Sequence, residues 1–132
     1  MIVASFLVKH LRIHWMEGEK HFKNCLVDYN EASNVAQWQW VAGCGADAAP
    51  YFRIFNPILQ GEKFDKKGLY VKKWVPEINK VPEKFIHKPW EVELKYQQAI
   101  QTIIGKDYPK PIVIHEKARA SALEAFQTLK KK

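Results

Sequence analysis

Cysteine is scarce in this sequence. Cys25 and Cys44 are the only two in 132 residues, and they lack the short paired spacing of a zinc or redox motif. One pair builds no disulfide framework, so reduced thiols in a cytosolic protein are expected. Long hydrophobic runs are missing too. The opening Met1-Ile2-Val3-Ala4-Ser5-Phe6-Leu7-Val8 is apolar, but Lys9, His10, Arg12 and His14 interrupt it, well short of the roughly 18 residues a membrane span needs. No basic stretch precedes it as in a signal peptide, so neither a membrane anchor nor export is expected. There is no glycine-rich phosphate loop, nucleotide fingerprint or Ser-His-Asp grouping, and no apolar–polar alternation long enough to specify a strand. Acidic residues are outnumbered, 14 Asp and Glu against 21 Lys and Arg, leaving a formal net charge of +7. That excess favours a polyanionic partner through counterion release, or else marks a solvated basic face.

What is present excludes disorder: 47% of the residues are hydrophobic and 13% aromatic, enough apolar surface to offset the entropy of ordering. The length allows one domain. Val3, Phe6, Leu7, Leu11 and Trp15 recur at helical spacing, which predicts a helix over 2–14 with no amino-terminal cap, as truncation inside a larger helical domain would leave. A second helix over 17–25 would turn Phe22 and Leu26 inward. Asp28 followed by Glu31 fits a capping box opening a helix over 29–42, closed by Gly43 and Gly45. Seven prolines, with Gly61 and Gly68, divide the middle and distal chain into short helices and loops. Helical patterns return over 91–104 and 115–130, and the fold class is all-α. Lys130-Lys131-Lys132 is the one low-complexity piece. His10 and His14, four apart, would share a helix face, but no third ligand suggests itself and no metal site is expected.

Asn34-Val35-Ala36-Gln37-Trp38-Gln39-Trp40-Val41-Ala42-Gly43, followed by Asp47-Ala48-Ala49-Pro50-Tyr51-Phe52-Arg53-Ile54-Phe55-Asn56-Pro57, gathers tryptophans, side-chain amides and an arginine around one loop. The pattern resembles the flavin-binding region of the DNA photolyase and cryptochrome family, from Met1 through Trp74-Val75-Pro76-Glu77 into the tail. The resemblance implies the carboxy-terminal part of a helical FAD domain, without the antenna domain and the first part of the FAD domain. It also implies light-driven repair of cyclobutane pyrimidine dimers in DNA by electron transfer from reduced FAD, most like the class I enzymes, with the isolated chain inactive.

Residue by residue, the resemblance puts Asn34 beside the flavin, where an amide tunes the cofactor's electronics. Trp38 and Trp15 become electron relays, since indole oxidises readily. Read without the family, both are core tryptophans with an N–H to satisfy. Trp40 and Met1 would contact the flipped-out lesion. Asp28 and Asn30 fall on the two acidic flavin-binding positions, where Asn30 departs from aspartate and the arginine partner of Asp28 is missing. Arg53 and Lys63, the latter in Gln60-Gly61-Glu62-Lys63-Phe64-Asp65, would approach the DNA backbone, although Arg53 could equally pair with Asp47. Lys66, Lys67, Lys72 and Lys73 extend a basic face or merely solvate it. The partners implied are dimer-containing DNA, the amino-terminal remainder of the same protein and, through an exposed apolar surface, a second copy. Two other readings stay open: a cryptochrome-like flavin photoreceptor, and a basic helical nucleic-acid-binding module without flavin chemistry.

Overall fold

The computed structural model describes residues 1–47 and 53–131, so the expectations on Ala48, Ala49, Pro50, Tyr51, Phe52 and Lys132 fall outside the described residues. Helices dominate. The only β-type pairing among the described residues is an isolated bridge between Ile104 and Tyr108, which agrees with an all-α class. The chain sorts into two compact units, one of residues 1–55 and 113–132, the other of residues 56–112.

In the first unit, α1 (Ile2–Ser5) runs into a π-helical turn, Phe6–His10. Leu11 N donates to Phe6 O at 3.0 Å across that widened turn. Arg12 then takes a positive φ of 55°, which ends the helix before the expected residue 14. His14 belongs to the next element: it is the amino-terminal cap of α2 (Trp15–Cys25), its Nδ1 accepting from Met16 N at 3.3 Å. His10 and His14 therefore do not share one helix face. Along α2, Phe22 turns inward as expected, but Leu26 is exposed beyond the helix end.

The third helix, α3 (Glu31–Ala42), begins two residues later than the capping-box reading put it, and Asp28 does not cap it. Asn30 does, its Oδ1 accepting from Ser33 N at 3.0 Å. Asn lies at the residue that leaves the extended region, and only that residue can reach an N–H of the first turn. Gly43, at φ 77°, closes α3 with Cys44 N bonded to Gln39 O, the six-to-one bond of a Schellman end. The last helix, α7 (His115–Lys130), has the predicted bounds. Its contacts with the π-turn segment include Arg12 Nη1 donating to Ser121 Oγ at 3.3 Å.

In the second unit, Asn56 caps α4 (Pro57–Phe64), accepting from Ile58 N and Leu59 N, with Pro57 in the first turn. Next come α5 (Leu69–Trp74) and three 3₁₀ turns, Pro76–Ile78, Glu83–Phe85 and Pro89–Glu91, each containing or following a proline. The helix expected over 91–104 is cut down to α6 (Leu94–Ala99). Gln101 at φ 57° stops it, while buried Gln97 donates to Val92 O at 2.7 Å and accepts from Ile104 N at 2.9 Å. Ile78, Val81, Ile86 and Val92 form the core, with Val71, Val75, Phe85, Ile100 and Tyr108 packed around it.

Candidate functional site

The first unit is built around Trp38. This indole is 3% exposed and packs with Ala4 and Val41, while Leu7, Val8, Trp15, Phe22 and Trp40 close around the cluster. Phe22 meets it edge-on, with ring centroids 5.1 Å apart. Gly18 makes the approach of α2 possible: a Cβ there would lie inside the Trp38 ring and against Leu7 Cδ2. A glycine in the middle of a helix costs up to about 1 kcal/mol relative to alanine, so it is kept where backbone and ring must touch.

A buried indole N–H needs an acceptor. Trp38 Nε1 donates to Asn34 Oδ1 at 3.1 Å, one turn earlier on α3. Asn34 Nδ2 in turn donates to Glu19 O at 3.1 Å and lies 3.4 Å from Glu19 Oε1. Tyr29 OH donates to the same Glu19 Oε1 at 3.1 Å. The chain Trp38–Asn34–Glu19–Tyr29 thus ties α2 to α3 and to the loop between them. Loss of solvation, then the Glu19 carboxylate beside it, pushes the Tyr29 phenol up. Neither Glu19 nor Tyr29 figured among the residues expected from sequence. Gly18 at mid-helix was the available signal, marking where α2 approaches a partner closely.

The expected site residues fall into distinct places. Trp15, Trp38 and Trp40 share one cluster, and Asn34 is bonded into it. Asp28 and Asn30 stand exposed on the neighbouring loop. Asn30 has spent its oxygen on the cap, whereas the Asp28 carboxylate has no hydrogen-bond or ion-pair partner among the described residues. Met1 is exposed beside α1. Arg53 lies on the stretch leading out of this unit, with its guanidinium 5.9 Å from the Phe55 ring centroid and its carbonyl accepting from Lys9 Nζ. Lys9 is buried, and burial followed by the charge of Arg53 draws its pKa down. Lys63 belongs to the second unit, exposed, with Nζ 5.1 Å from the Phe64 ring.

These groups have the right chemistry for a redox cofactor. Asp28 offers an unspent carboxylate, Asn30 a free amide N–H₂, and Asn34 one remaining lone pair on Oδ1. Among the described residues, no group of three His, Cys, Asp or Glu side chains is placed to hold a metal ion, and no helix is long and apolar enough to cross a membrane.

Three indoles packed near one buried amide, with the Asp28 carboxylate unspent on the adjoining loop, mark this helical unit as the candidate site. Residues 1–128 match the family model described as the FAD binding domain of DNA photolyase, and the chain belongs to that family. A deoxyribodipyrimidine photo-lyase of Agrobacterium fabrum is 59% identical over 131 residues, 99% of this chain and 27% of that protein. The crystal structure of a bacterial class III photolyase from Agrobacterium tumefaciens superposes with a TM-score of 0.92 at 58% identity, covering 100% of this chain and 27% of that one. A cryptochrome from Synechocystis gives a TM-score of 0.85 at 37% identity, covering 92% and 25% respectively. The chain spans about a quarter of the length of the relatives it matches.

Proposed function

We propose that this chain is the carboxy-terminal portion of the FAD-binding domain of a deoxyribodipyrimidine photo-lyase, a carbon–carbon lyase that reverses cyclobutane pyrimidine dimers in DNA under light. The observation that carries the reading is the Trp38–Asn34 hydrogen bond, with Trp15 and Trp40 packed around the same indole, in a chain that matches the family over residues 1–128. Reduced FAD, when bound, would supply a photoexcited electron that opens the cyclobutane ring and then returns to the flavin. Asp28 and Asn30 would hold that cofactor, and Asn34 would offer it the remaining lone pair of its Oδ1. Trp38 and Trp15, as oxidisable indoles, would relay single electrons toward it. Trp40 and Met1 pack against the flipped-out lesion, where a flat apolar face excludes water. Arg53 and Lys63 contact backbone phosphates, the guanidinium as a fork and the ammonium as a point charge.

Asn34 and Trp40 leaned toward a cyclobutane-dimer photolyase over a cryptochrome; within the photolyases class I was expected, whereas 58% identity to a class III photolyase across the whole chain supports class III, which we propose instead. The exposed side chains of Met1, Val3 and Met16 are where the remainder of a longer protein would pack, and the chain alone is expected to repair nothing. Its exposed free thiols, Cys25 and Cys44, suit a cytoplasmic protein.

The test is a chimera in which this chain replaces the matching 131 residues of the Agrobacterium fabrum enzyme. Retention of the flavin absorption bands and repair of a thymine-dimer oligonucleotide under blue light is the expected result. A folded, flavin-loaded chimera that repairs nothing overturns the reading. If that chimera still changes its flavin spectrum under light, the photoreceptor reading favoured by the cryptochrome likeness takes its place.

A further inference from the structure

The helices α4 and α5 of the second unit present a face of which the reading above uses only Lys63. Both carboxylates of residues 57–74 are engaged inside the unit. Glu62 Oε1 lies 3.4 Å from Lys88 Nζ, and Asp65 accepts from Tyr70 N and Val71 N at 3.2 Å each. Burial pushes the Asp65 carboxyl up, but those N–H bonds outweigh it and hold the group below its ordinary range. Lys63, Lys66, Lys67, Lys72 and Lys73 are left with no carboxylate partner among the described residues, so this segment reads as almost purely basic.

Aromatic rings lie among those lysines. Tyr70 and Trp74, one helical turn apart, have ring centroids 6.5 Å apart, and Trp74 is 63% exposed. Lys73 Nζ sits 5.0 Å from the Trp74 ring. They are not a core stripe turned the wrong way, because Val71 takes the inward position of α5 and packs on the core with Val75. The support beneath them is rigid. Gly68, at φ 67°, is pressed so closely on fully buried Ile86 that no Cβ fits, and His87 Nε2 donates to Asp65 O at 2.7 Å.

We infer that this face binds single-stranded nucleic acid, with Tyr70 and Trp74 as stacking surfaces and Lys66, Lys67 and Lys73 as phosphate contacts. Lysines alone would serve a duplex equally well, but a duplex keeps its π-faces inside its own stack. Exposed rings framed by lysines select a strand whose bases are free to stack. The fixed support means little ordering cost on binding. The site needs neither flavin nor lesion, so an undamaged strand suffices, and its fate is separate from that of the repair reading.

The experiment is fluorescence anisotropy of the chain titrated into a fluorescein-labelled oligothymidylate of about 15 nucleotides. Binding should weaken with salt, W74A and Y70A should each lower affinity about tenfold, and unlabelled duplex should compete poorly. K66Q and K67Q, which leave the rings in place, should each shallow the log–log salt slope by roughly 0.7. Unchanged affinity in both ring variants, or competition by duplex equal to that of single strand, overturns the inference. A dimer of the chain that W74A dissociates would also overturn it, giving the face to a second copy.

Discussion

His10 Nε2 lies 2.8 Å from His115 Nδ1, joining the π-turn near the start of the chain to the first turn of α7 across 105 residues. The Phe6 ring centroid lies 5.1 Å from that of His10, in a tilted arrangement. Burial disfavours the His10 imidazolium, the charge of His115 disfavours it further, and the nearby Ser5 backbone opposes both, leaving the pKa lowered from its ordinary 6.5. The unfolded chain therefore takes up this proton first as the pH falls. Stability of the first unit should be full above pH 6.5 and drop as pH passes down to the lowered folded value, by no more than about 1.4 kcal/mol per unit, then level off. The urea midpoint measured against pH checks this, and His10→Gln should flatten the curve.

Gly18→Ala should destabilise the first unit despite the better helix propensity of alanine. The methyl group would overlap the Trp38 ring, and overpacking of that kind costs about 1–3 kcal/mol, more than propensity returns. Chemical denaturation followed by far-UV circular dichroism measures the difference.

Asn34→Ala leaves the buried Trp38 N–H without its acceptor and removes the donor to Glu19. An orphaned buried donor costs about 1–3 kcal/mol. In a double-mutant cycle with Trp38→Phe, the loss caused by Asn34→Ala should shrink once the indole N–H is gone, because that donor no longer needs a partner. Additive losses would mean the pair is not coupled.

Asn30→Ala and Asp28→Ala should both weaken cofactor retention, but only Asn30→Ala should also lower stability. Removing the cap at Asn30 should cost about 1 kcal/mol. Asp28 caps nothing, so its loss should change stability by less than about 0.5 kcal/mol while weakening FAD retention in the chimera. Denaturation midpoints and flavin absorbance on the same two variants read both effects.

The sequence was most legible where periodicity and family pattern agreed. The bounds of α7 and the closure of α3 at Gly43 match the expectation. It misled where a backbone irregularity intervened. Apolar spacing ran smoothly through residues 2–14, and nothing in it marked the five-residue turn or the positive φ of Arg12. The cap of α3 went to Asn30 because two candidate caps lie two residues apart and only backbone conformation decides between them. The Glu19 and His115 contacts were invisible for another reason: they join residues 15 and 105 positions apart, and hydrophobic pattern carries no information at that range.

The π-turn at Phe6–His10 carries one residue more than an α-turn would use, and that makes it a phase shifter. Losing any one of those five residues would let a regular helix run on, and the chain on one side would turn by about 100° relative to the other. Ala4 and Ser5 could then no longer face the core while Lys9 reaches Arg53 and His10 reaches His115. For this segment, length is read as angle: a deletion that barely shortens the protein would dismantle three separate fastenings at once, whereas most substitutions would loosen only one.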